Sequence, residues 1–135
     1  MTSTSPILTN PDSLPTPLGA YFHVARAGDT IYIAGQVGVD QNGDLAGSDV
    51  QVQTRQTFAN LRAACQSEGM ELENIAKLTT YLIDADDIAG FYQVREEIFP
   101  EMFPNGKYPP NTLLVIDRLV KPELRVEIEA IAYAG

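Results

Sequence analysis

Apolar and polar positions alternate most clearly near the C-terminus. Leu124, Val126, Ile128 and Ala130 fall on one face, and Arg125, Glu127 and Glu129 on the other. The pattern predicts a strand packed on its first face. Its second face opens either on solvent or on a pocket presenting a carboxylate.

Upstream, two short apolar runs at 21–26 and 30–37 flank Gly28-Asp29, a hairpin signal. Asp40-Gln41-Asn42-Gly43-Asp44 has the look of a calcium loop, but its glycine comes at the fourth position instead of the sixth. Gln51 also stands where the closing Glu is required, so the segment reads as a polar turn. From Ser48 or Asp49 to about Glu68 the period lengthens. Val50, Thr54, Phe58, Leu61 and Cys65 make the stripe of a helix, with Gly69 at its end. A strand is predicted over 76–83. Asp86 and Asp87 cap a second helix, with Ile88, Phe91, Arg95 and Ile98 or Phe99 along one side and Pro100 after its end. A proline-rich loop over 100–110 leads to two last strands, 112–117 and 124–133. Residues 1–18, with Pro6, Pro11, Pro15 and Pro17, read as an extended N-terminal arm, and 19–135 as a single domain.

The order β-β-α-β-α-β-β predicts an α+β sandwich with both helices on one face of a mostly antiparallel sheet. The other face is left bare, which is a reason to oligomerise.

Composition narrows the function classes. The chain has 135 residues, 44% of them hydrophobic, enough for one core without a metal or disulfide staple. Cys65 is the one cysteine, so no internal disulfide is possible and a cytoplasmic location is expected. The first twelve residues lack the basic and apolar regions of a secretory signal, and no apolar run approaches the ~20 residues of a membrane helix. The net charge is −9 and the basic residues are scattered, which disfavours nucleic acid as a partner.

The chemical inventory is short. One histidine and one cysteine make a zinc site implausible, and neither a phosphate loop, a nucleophile elbow nor a dinucleotide fingerprint occurs. No metal or cofactor is expected. Gly35-Gln36 and Gly38 read as a strand end entering a turn. Cys65 lies on the apolar stripe and reads as a core residue before a nucleophile. His23 alternates in phase with Tyr21; it is either a proton carrier or a surface or interface histidine. Glu127 and Glu129 are about 7 Å apart by strand rise. That spacing suits a small substrate or two solvated strand glutamates.

At this point several segments resemble one family. Gly19-Ala20-Tyr21 resembles its Gly-Pro-Tyr, and Ile31-Tyr32-Ile33-Ala34-Gly35-Gln36-Val37 its Ser-Gly-Gln strand. Gln53-Thr54-Arg55-Gln56 with Asn60-Leu61 resembles its first helix, and Arg118-Leu119 with Val126-Glu127-Ile128-Glu129-Ala130-Ile131-Ala132 its C-terminal signature. The family is the Rid family, also called YjgF or L-PSP endoribonuclease-like. The resemblance runs from Gly19 to Ala132. It implies a chorismate-mutase-like fold and a homotrimer with small-molecule clefts between subunits. The activity it implies is hydrolysis of reactive enamines and imines, such as 2-aminoacrylate or 2-iminobutanoate, to a 2-keto acid and ammonia.

The resemblance also implies a site. Glu127 matches the water-holding glutamate and Tyr21 the pocket tyrosine, with Ala34, Asn111 and Thr112 as further substrate-binding positions and His23 beside them as a second catalytic candidate. The Pro-x-Arg-Ser/Thr motif corresponds to Pro109-Pro110-Asn111-Thr112, so a neutral amide stands where an arginine grips the substrate carboxylate. Arg118 matches an arginine outside that grip, and Arg95 is a more distant substitute. Three functions follow in order: a divergent imine or enamine hydrolase, a non-catalytic small-molecule-binding or regulatory trimer, and, weakest on charge, an endoribonuclease.

Overall fold

The computed structural model describes residues 5–135; the first four residues of the expected arm lie outside the described residues. Among the described residues six strands and two α-helices follow in the order β1 (Ile7–Thr9), β2 (Val24–Ala27), β3 (Thr30–Val37), α1 (Val50–Ser67), β4 (Ile75–Leu82), α2 (Ile88–Met102), β5 (Asn111–Val115) and β6 (Val126–Tyr133). They form one sheet in the order β1-β2-β3-β6-β4-β5. The fold is α+β, as the periodicity predicts.

Helix α1 starts where its cap allows. The Asp49 carboxylate accepts the Val52 N–H at 2.8 Å, and Gly69, at φ +73°, takes the left-handed turn that ends the helix. Val50, Thr54, Phe58, Leu61 and Cys65 are all buried. They pack against Ile31, Ile33, Leu78, Ile128 and Ala130 of the sheet, so the core lies on the helix side. The opposite face of the sheet exposes Tyr32, Ile131 and Tyr133.

Four findings differ from the sequence expectation. β2 begins at Val24 rather than at residue 21, because Tyr21 and Phe22 are exposed and the Tyr21 N–H turns back to the Gly19 carbonyl. Pro100 lies inside α2 rather than after it. Its ring removes one helical hydrogen bond. The final turn survives because Phe99 packs edge-on to Phe58 and Phe103, and the Phe103 N–H donates to the Phe99 carbonyl at 2.7 Å. Residues of the expected arm enter the sheet as β1, paired with β2. Finally, β4 and β5 pair in parallel while the other ladders are antiparallel. A parallel pair needs a long crossover, which α2 supplies. Among the described residues no helix is long and apolar enough to cross a membrane.

Candidate active site

The core residues of β6 alternate with Glu127 and Glu129, so both carboxylates are turned away from the helices. Across from them β3 carries a bulge. Gln36 pairs with Ile128 and Ile33 with Ala130, so β3 spans that interval with one residue more than β6. Ala34 and Gly35 lie in the bulge. Such an irregularity re-aims neighbouring side chains and is frequent beside active sites. A Cβ on Gly35 would come within 2.4 Å of Glu127 Oε2. The missing side chain is therefore the space in which the Glu127 carboxylate rests.

A cavity of about 340 Å³ opens over this point. Its floor is Ala34, Gly35 and Gln36 of β3 with Glu127 of β6; Pro15, Thr16, Leu18 and Tyr21 form a wall from the N-terminal segment; Val120 closes one end. The wall is tied down through His23. The His23 N–H donates to Asn10 Oδ1 at 2.9 Å. Gln36 Nε2 donates to the Ala34 carbonyl at 3.1 Å and to His23 Nδ1 at 3.0 Å. Since the Gln36 amide uses both hydrogens as donors, Nδ1 is the acceptor nitrogen. The proton then sits on Nε2, which donates to the Pro15 carbonyl at 2.7 Å. His23 is a buried neutral imidazole with both nitrogens engaged, and acting as a proton carrier requires breaking one of these bonds. The Tyr21 ring stands edge-on to it at 6.0 Å, and the Tyr21 hydroxyl accepts the Leu18 N–H at 3.2 Å.

No donor among the described residues reaches the Glu127 carboxylate, which stays open to a ligand or water. Burial, reinforced by the negative charge of Glu129, holds Glu127 above the usual carboxylate range. Glu129 is engaged elsewhere: the Tyr81 hydroxyl donates to it, which pushes the phenol up. A carboxylate poised upward in a cavity is what a general base needs.

Tyr21, His23, Ala34 and Glu127 come together, while Asn111 and Thr112 do not line the cavity. Asn111 sits beside Leu78 at the start of β5, on the helix side of the sheet, and its Oδ1 accepts from the Thr80 hydroxyl at 2.8 Å. Thr112 lies on the opposite face and accepts from Lys77 Nζ at 2.6 Å. Arg95 is remote from the cavity lining, its guanidinium 4.5 Å above the Phe99 ring. Arg118 donates to the carbonyls of Leu119 and Val120, at 3.0 Å each. Cys65 is buried in the core and its thiol is pushed up to about 12 by burial and by Glu71, which excludes a reactive thiolate at neutral pH. Among the described residues no three His, Cys, Asp or Glu side chains gather as a metal site.

Gly35, first read as a strand end, is the residue that sequence reasoning missed. The available signal was a glycine inside an apolar strand pattern, which marks a bulge or a close approach. Gly35→Ala is expected to reduce turnover at least tenfold, because the added methyl displaces the carboxylate. The clash falls on the end of a flexible side chain. Stability should therefore change by less than about 1 kcal/mol, which thermal unfolding of the variant checks. Unaltered turnover would remove the carboxylate from the chemistry.

A sequence model of the family described as Endoribonuclease L-PSP matches residues 12–134. A RutC family protein of Pyrococcus horikoshii is 36% identical over 123 residues, covering 90% of this chain and 93% of that one. The 2-iminobutanoate/2-iminopropanoate deaminase of Salmonella typhimurium is 30% identical over 121 residues, covering 90% and 92%. Among solved structures, Escherichia coli TdcF with bound serine superimposes with a TM-score of 0.87 at 28% identity, covering 96% of this chain and 99% of that one. The Escherichia coli YjgF product gives 0.85 at 29%, covering 93% and 97%. With nearly the whole length matched in both sequence and fold, this chain belongs to the endoribonuclease L-PSP family, the Rid/YjgF group.

Proposed function

We propose that the protein hydrolyses a small reactive imine or enamine, with Glu127 activating the water. The supporting observation is the Glu127 carboxylate itself. It is held up by burial, meets no protein donor, and faces a cavity of substrate size. In this reading the enamine first tautomerises to the imine. Glu127 takes a proton from water as the oxygen adds to the carbon of the protonated imine, returns it to nitrogen, and then takes the proton left on the added hydroxyl as the C=O bond forms and the C–N bond breaks. The products are a carbonyl compound and ammonia. Tyr21 orients the substrate through its hydroxyl, and Ala34 and Gly35 supply the floor. His23 acts by holding the wall in place and, if one of its bonds opens, as a proton relay. Activity of this class is in the name of relatives about 30% identical.

The sheet face that carries Glu127 and Glu129 also exposes Tyr32, Ile131 and Tyr133. A homotrimer that buries this face removes the apolar surface and brings a second copy against the site. The net charge of −9 argues against an RNA substrate.

The test is direct. An oxidase generates the imine in the presence of semicarbazide, and the protein competes for it. Hydrolysis lowers the yield of semicarbazone. No decrease with any small imine would sink the enzymatic reading in favour of a binding protein that kept the cavity without the chemistry.

A further inference from the structure

We propose that this cavity selects a small imine, or its protonated iminium form, whose carbon skeleton carries no free carboxylate. The inference rests on the hydrolytic reading and specifies its substrate class.

Charge is the first observation. Glu127 is the one acidic residue among those lining the cavity, and neither a lysine nor an arginine joins it. Hydrogen-bonding capacity is the second. Both His23 nitrogens are in use. Both Gln36 amide hydrogens are taken by Ala34 and His23. Those of Asn60 go to the carbonyls of Val37 at 3.1 Å and Val39 at 2.9 Å. The side-chain donors left are the hydroxyls of Thr16 and Tyr21.

A substrate carboxylate needs charge-assisted donors to replace its water, and two neutral hydroxyls do not provide them. It would also share a desolvated space with the Glu127 carboxylate, a like charge. None of the nine basic side chains lines the cavity. Arg118 holds two backbone carbonyls, Lys77 holds Thr112, and Arg95 lies over Phe99. A second copy that brought Asn111 to the cavity would add an amide and no charge. An iminium group has the opposite character. Its N–H groups donate, its charge is positive, and Glu127 is a free acceptor.

The reaction balances without a co-reactant. Water oxygen bonds to the iminium carbon, the C–N bond breaks, and both water protons leave on nitrogen. R–CH=NH2+ and H2O become R–CHO and NH4+.

A matched pair of substrates tests the proposal on the full-length protein. Propan-1-imine is made in situ from propylamine by an amine oxidase, and 2-iminobutanoate from 2-aminobutanoate by an amino-acid oxidase; the two differ by the carboxylate alone. Ammonia release in excess of the uncatalysed rate, followed without a trap, reads both. Expected is a kcat/KM at least tenfold higher for propan-1-imine. Equal values, or a preference for 2-iminobutanoate, overturn the proposal and leave imine hydrolysis standing. If neither imine is turned over, hydrolysis falls, and selectivity is decided by binding of the stable analogues 2-oxobutanamide and 2-oxobutanoate, read from NMR shifts of Tyr21 and Ala34. The amide should bind at least tenfold more tightly. Equal affinities, tighter binding of the carboxylate, or no binding of the amide overturn the proposal.

Discussion

Glu127→Gln should lower imine hydrolysis by about 10²–10⁴-fold, the usual contribution of a positioned general base. Glutamine keeps the shape and removes the basic oxygen, so the fold and any oligomer should persist. In the parent protein the activity should rise with pH as Glu127 ionises. Burial first, and Glu129 second, raise that carboxyl. The midpoint is therefore expected above the ordinary glutamate value of about 4.3. Glu129→Gln removes the neighbouring negative charge and should move the midpoint down.

The same shift has a stability consequence. The folded state holds the Glu127 proton more tightly than the unfolded chain does. Stability from this group is full below the unfolded pKa and is lost as pH rises through the folded one. Glu127→Gln should thus unfold at an equal or higher temperature than the parent at neutral pH, while turnover collapses. A variant that kept its turnover, or that lost activity only because it unfolded, would remove Glu127 from the chemistry.

Gln53→Ala should cost about 2–4 kcal/mol of stability, because it strips partners from three part-buried backbone groups at roughly 1 kcal/mol each. Gln53 is fully buried on α1. Its Nε2 donates to the carbonyls of Gly47 at 2.9 Å and Glu123 at 3.0 Å, and its Oε1 accepts the Arg125 N–H at 2.8 Å. The side chain thus pins the segment that starts β6, directly before Glu127. Gly38 leaves it room: a Cβ there would lie 2.6 Å from Gln53 Cβ and 2.8 Å from Gln53 Cα. Denaturant unfolding measures the loss. A change below about 1 kcal/mol would mean that water takes over these bonds, a role ordered water commonly plays.

The site residues divide by how far apart their partners lie in the chain. Glu127 was legible because strand alternation alone turns it away from the core. Tyr21 and Ala34, singled out by short motifs, both line the cavity. His23 was legible as a candidate but not in its role. That role depends on Gln36 and Pro15, two partners that the fold brings to its opposite ring nitrogens. Gly35 was misread because only the fold shows that Glu127 lies where its Cβ would be. Asn111 was expected opposite Glu127 across a crevice shared by two protomers; within one protomer the parallel register of β5 places it on the helix side, against Thr80.

The sequence by itself determined the two helices, the faces of the strands, the main core on the helix side and the outward carboxylates. These follow from periodicity, capping and turn residues, which act over a few neighbouring positions. It did not show the second small cluster of Val37, Leu119 and Leu124. Tertiary structure alone decided the strand order, the parallel pairing of β4 with β5, the capture of the N-terminal segment as β1, and the bulge that seats Glu127. Each depends on contacts between residues remote in the chain, whose register no local pattern encodes.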